Sequence, residues 1–86
     1  MEQKMPLQFP CPFAIKVMGP NSEAFALAVS AIFCRHLAAD QLSYSRRLSS
    51  GDKYLSLTGT FTAQSREQLD ALYRELHAHE LVLMTL

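Results

Sequence analysis

His77 and His79 stand two residues apart with Glu80 beside them, the residue types that hold zinc. On a helix the two imidazoles would diverge by about 200°; on an extended segment they would share a face. Two imidazoles with no neighbouring cysteine are too few for a structural zinc site, and adjacency denies Glu80 the geometry of a third ligand. The pair reads instead as the basic end of a helix, where cationic side chains suit the dipole. Cys34 and His36 have the types of a nucleophile and its base. At a spacing of two they diverge on a helix, and no third group orients the imidazole, so packing is the better reading. Cys11, between Pro10 and Pro12, reads as a free thiol on an extended segment. No metal, no cofactor and no catalytic set is expected, and an enzyme is the least supported class.

Two other groups could bind rather than react. Lys16, Met18, Gly19, Asn21 and Ser22 fall where the first strand meets the first helix. Free amides at a helix start, with a lysine nearby, could hold a carboxylate or phosphate. The plainer alternative is a tight turn into a capped helix. Tyr54, Thr58 and Thr60 should join Lys16 and Met18 on an open sheet face. An RNA-recognition sheet stacks bases on aromatics from its central strands, and Ala14, Lys16 and Met18 supply none, which argues against nucleic acid. Self-association is a better use of such a face. Arg46 and Arg47 with Lys53 form a modest basic spot, read as a solvated face.

The chain has 86 residues, 49% of them hydrophobic and 19% charged, which bounds it to one folded domain. A formal net charge of +0 provides no global field toward nucleic acid or anionic lipid. Two cysteines do not make a disulfide scaffold. The opening MEQKMPLQF has no apolar signal region, and no apolar run approaches the roughly 20 residues of a membrane helix. A reducing, cytoplasmic location is expected, with no membrane partner.

Six elements would position these groups. Residues 1–8 read as a flexible lead-in, and residues 9–86 as the domain. Pro10 and Pro12 hold the backbone extended. Phe13, Ile15 and Val17 then alternate with Ala14, Lys16 and Met18, a central strand whose first set is assigned to the core. Asn21 or Ser22 caps a helix running to about residue 37, with Phe25, Ala28, Val29, Ile32 and His36 at helical spacing. Leu27 and Cys34 fall on the opposite side of that helix. They need cover, either from the lead-in around Leu7 and Phe9, which is preferred, or from a partner chain. Residues 42–48 read as a strand with one partly wetted face, and residues 49–52 as a hairpin turn. In the next strand Leu55, Leu57, Gly59, Phe61 and Ala63 face inward, and Gly59 marks a bulge or a close approach. Ser65 to Gln68 reads as a capping box, followed by the stripe Leu69, Leu72, Tyr73 and Leu76. Arg66–Asp70 and Asp70–Arg74 are spaced for ion pairs along that helix. Residues 81–86 make a last strand. Strand, helix, strand, strand, helix, strand with right-handed crossovers gives an α+β, ferredoxin-like two-layer sandwich, sheet order 4-1-3-2, both helices on one face.

The segment FPCPFAIKVMG resembles the opening signature of the YbeD-like family of small bacterial proteins. Ser49-Ser50 followed by Tyr54 and Ser56 is similar to that family's SS…Y-x-S segment. So are Glu67-Gln68, Leu72-Tyr73, Glu75-Leu76, Val82, Met84 and Leu86. The resemblance implies a ferredoxin-like, ACT-like fold, and a connection to lipoate metabolism or its regulation in some members. It implies no activity. The order Gly51-Asp52-Lys53 departs from the family's Lys-Gly-Asn-like hairpin, and residues 24–34 are more apolar than the family pattern. Together these readings give a regulatory or adaptor domain that binds an unknown protein partner, with a homodimer as one form. The alternative is a sensor taking a carboxylate effector at Lys16, Met18, Gly19, Asn21 and Ser22. Leu27, Cys34, Tyr54, Thr58 and Thr60 are the expected interaction surface.

Overall fold

Once Pro12 has fixed an extended start, nothing up to Pro20 interrupts the strand. A computed structural model describes residues 8–86, and in it β1 spans Cys11–Pro20. The expected lead-in lies outside the described residues apart from Gln8. α1 covers Glu23–His36, a single 3-10 turn Ala39–Gln41 leads to β2, Ser43–Leu48, and a second, Ser50–Asp52, closes the hairpin into β3, Tyr54–Ala63. α2, Arg66–Ala78, precedes β4, Met84–Thr85. The sheet order is β2-β3-β1-β4 and every pairing is antiparallel, the ferredoxin-like arrangement.

The helix caps are local chemistry. Ser22 Oγ accepts from the Phe25 N–H at 3.2 Å, and Ser65 Oγ accepts from the Gln68 N–H at 3.1 Å. The capping box at Ser65 is only half formed. Gln68 Oε1 accepts from the Gln64 N–H at 2.8 Å instead of from the cap residue, and its Nε2 donates to the carbonyl of His36 at 3.1 Å. The side chain thus ties the start of α2 to the end of α1. At the hairpin, Gly51 takes φ +82, a left-handed conformation that favours glycine.

β1 and β3 pair along their whole length, from Cys11 opposite Ala63 to Pro20 opposite Tyr54. Their inward residues Ile15, Val17, Leu55, Leu57, Phe61 and Ala63 meet Phe25, Val29, Ile32 and Phe33 of α1 and Leu69, Leu72 and Leu76 of α2. β3 faces inward as its alternation predicts. Gly59 makes a close approach rather than a bulge, because the ladders on both sides run through it without a break. A Cβ there would lie 2.9 Å from Cζ of Phe33.

Three expectations need correction. Phe13 is only half-buried, tilted against Phe61 at a ring distance of 6.1 Å, while Phe33, absent from the predicted stripe, is fully buried. β2 does not have one sheltered face: all six of its residues are exposed, because it is the sheet edge and α1 does not cover it. The last strand is shorter than residues 81–86, with Leu81 and Val82 in the connection and β4 extended by the mutual backbone bonds of Lys16 and Leu86.

Phe33→Ala should cost about 3–5 kcal/mol in chemical denaturation, and Phe13→Ala clearly less, since a half-exposed ring loses less burial. Gly59→Ala should destabilise by about 1–3 kcal/mol through overpacking against Phe33. Equal costs at Phe13 and Phe33 would contradict the assigned core.

Candidate functional site

A helix packed over the central strands of a sheet buries one stripe and presents another toward the edge. In α1 the presented stripe is Leu27, Ser30 and Cys34, spaced to share a face. This stripe faces β2, whose Tyr44, Arg46 and Leu48 pair with Gly59, Leu57 and Leu55 and so point to the helix side of the sheet. Between them lies a groove of about 280 Å³, lined by Ala26, Leu27, Ser30, Tyr44, Ser45, Arg46 and Leu57. Leu27 stands on its rim with 62% of its surface exposed, so cover from Phe9 does not reach it. Leu7 is outside the described residues.

Tyr44 forms the groove wall. Its ring meets Phe33 edge-on at 5.9 Å, and its hydroxyl lies 3.5 Å from Ser30 Oγ. Burial raises the phenol above its ordinary value, opposed by the Ser30 bond and reinforced by nearby Cys34. Among the described residues neither Arg46 nor Arg47 forms an ion pair; the pairs present are Arg35 and His36 with Glu75. The spacings Arg66–Asp70 and Asp70–Arg74 give no closed pair.

The other predicted residues are distributed differently. Gly19 is buried, and a Cβ on it would collide with the Phe25 ring and lie 2.6 Å from the carbonyl of Leu81. The amides of Asn21 and Ser22 are already donated, to the carbonyls of Lys53 at 3.1 Å and Pro20 at 2.9 Å. Asn21 Nδ2 donates to the carbonyl of Asp52 at 2.9 Å. Gly19, Asn21 and Ser22 therefore form one turn fastened to the β2–β3 hairpin. Lys16 and Met18 point away from it, onto the face opposite the helices. On that open face Lys16 pairs with Thr58, Ala14 with Thr60 and Pro20 with Tyr54. Leu27 and Cys34 thus occupy one surface, and Tyr54, Thr58 and Thr60 another. His77 Nε2 lies 2.7 Å from Thr85 Oγ1, and His79 Nδ1 accepts from the Leu81 N–H at 3.1 Å, so each imidazole is engaged locally.

A family model described as "Protein of unknown function (DUF493)" matches residues 4–86. The chain belongs to the DUF493 family. A UPF0250 protein of Nitrosomonas europaea is 39% identical over the full length of both chains. Another, of Bordetella parapertussis, is 42% identical over 93% of this chain and 89% of its own. One of Leptothrix cholodnii is 45% identical over the same shares. None of these names states an activity, and the resemblance to small YbeD-like bacterial proteins holds across the chain. The solution structure of protein HP0495 from H. pylori superposes with a TM-score of 0.74 over 98% of this chain and 89% of that one, at 13% identity. It shares the fold. Among the described residues of this DUF493 chain, no helix is long and apolar enough to cross a membrane.

The sequence reading missed the groove because it needs Tyr44 and Arg46 on an uncovered edge. It also missed the seam between the helices. There Arg35 Nε donates to Glu75 Oε1 at 3.0 Å, and His36 Nε2 lies 2.7 Å from Glu75 Oε2. The Arg35 bond, then the His36 bond, hold the Glu75 carboxyl below its ordinary value of 4.5. The unfolded chain then binds the extra proton first, so the seam stabilises fully above about pH 4.5 and fades as the pH falls through the depressed value. Glu75→Gln should therefore flatten the fall of the melting temperature as the pH drops below about 4.5. An unchanged acid limb would mean that the seam contributes nothing.

Proposed function

We propose that this DUF493 chain is a non-enzymatic adaptor or regulatory domain that works by binding a partner protein. The observation that carries this reading is the apolar groove between α1 and β2 lying directly beside an exposed sheet edge. An exposed leucine, a tyrosine wall and a strand edge are features that protein partners use, and they need no reacting group. A homodimer is one form such binding could take. The alternative, an ACT-like sensor for a carboxylate effector at Lys16, Met18, Gly19, Asn21 and Ser22, has thinner support. The Asn21 and Ser22 amides already have acceptors, and Lys16 faces away from them.

A photocrosslinking amino acid placed at Leu27 in living cells should give discrete heavier adducts, whereas the same group at Thr60 should give only background. Absence of adducts at Leu27, together with a monomer at every concentration in light scattering, would overturn the reading.

A further inference from the structure

Among the described residues β2 is the long free edge of this sheet. Its register with β3 tells which of its backbone groups are unpaired. The Ser49 N–H donates to the carbonyl of Tyr54 at 2.9 Å and the Tyr54 N–H to Ser49 Oγ at 3.0 Å, so Ser49 turns its amide toward β3. Antiparallel ladders alternate, so Arg47, Ser45 and Ser43 turn their amides toward β3, and Tyr44, Arg46 and Leu48 turn theirs outward. Two of the residues with outward backbone groups, Tyr44 and Arg46, also line the groove with their side chains. A strand laid along this edge would hydrogen-bond to them and hang alternate side chains over Leu27 and Tyr44.

The charges on this edge select the incoming strand. Arg46 projects on the groove side and Arg47 on the open face, and among the described residues neither has an acidic partner. The strand SYSRRL itself contains no carboxylate. A second copy paired about Ser45 would bring Arg46 and Arg47 of both copies onto one ladder with nothing to offset them. Edge cations of this kind keep like edges apart. A strand with acidic residues at neighbouring positions meets both guanidinium groups, one on each face, with charge-assisted hydrogen bonds. The strand at the opposite edge, β4, spans only Met84–Thr85 and is shorter than β2.

We propose that the β2 edge of this protein binds an extended acidic segment of a partner protein by strand addition, with an apolar side chain of that segment seated in the α1–β2 groove. This rests on the adaptor reading and names its partner's chemistry. The charges add specificity and salt dependence, while the backbone ladder and the apolar anchor hold the segment in place.

The test uses the full chain and a displayed library of random dodecamer peptides. Enriched peptides should carry two or more Asp or Glu beside a large apolar residue, and their binding should weaken with added salt. Binding should protect the amides of Tyr44 and Arg46 from hydrogen exchange. Arg46→Glu combined with Arg47→Glu should weaken the acidic peptides at least tenfold and select basic ones instead, and Leu27→Glu should weaken both. All three positions are exposed, so unchanged melting temperatures will show that the variants fold. Enriched peptides without acidic residues, protection confined to β4 or the open face, or a dimer that the arginine reversal strengthens would each overturn the proposal. Failure to enrich any peptide would also overturn it. If Leu27 still crosslinks in cells, strand addition alone falls; if Leu27 gives no adduct and the protein is a monomer at every concentration, the adaptor reading falls with it.

Discussion

Two aromatic rings of α1 occupy the places that side chains on the central strands would need. Phe25 lies against Gly19 of β1, and Phe33 lies against Gly59 of β3. The rings are eight residues apart, about 12 Å along the helix, so together they fix its height and its direction over the sheet. A methyl group at either glycine would have to displace a buried ring or the carbonyl of Leu81. Much else follows from this seating. α1 rides over the two central strands, its inner stripe is filled by Val29 and Ile32 between the rings, and its outer stripe is left facing β2. The groove exists because the helix is held close to the centre of the sheet, leaving the edge uncovered.

The second helix is attached by different means. Its inner stripe of Leu69, Leu72 and Leu76 completes the core, and polar groups at its surface set its position against α1. Gln68 reaches the last carbonyl of α1, and Glu75 gathers Arg35 and His36. These bonds lie at the C-terminal end of α1, where its unpaired carbonyls and partial negative charge are best met by donors and cations. The helix layer is therefore apolar beneath and charge-tied above.

Much of the fold could be read from residue order. The alternation in β3, the serine caps and the two crossovers give the element order and the sheet order, and Gly59 marks either a bulge or a close approach before its neighbour is known. What could not be read has a common cause. Alternation tells which side of a strand a residue points to, but not whether a helix lies above that side. Tyr44, Arg46 and Leu48 point to the helix side of the sheet and remain exposed because no helix lies over them. Phe13 and Phe33 are both plausible core residues by spacing, and only the helix position separates them. The strand–helix turn looked like a place for free amides because the acceptor of the Asn21 amide, the carbonyl of Lys53, comes from a hairpin far along the chain. The expected interaction residues likewise fall on two surfaces, since Leu27 and Cys34 belong to the helix layer and Thr58 and Thr60 to the open face.

The two borders of the sheet are unequal. β2 presents six residues, whereas β4 pairs through two and is held there by the bonds between Lys16 and Leu86. Extended assemblies such as fibres grow when a molecule offers a template on both sides, so that each addition creates the next docking place. A sheet with one long border and one short one offers such a template unequally on its two sides. Strand length thereby makes the two borders unequal hosts: six residues of β2 lie along one, two of β4 along the other.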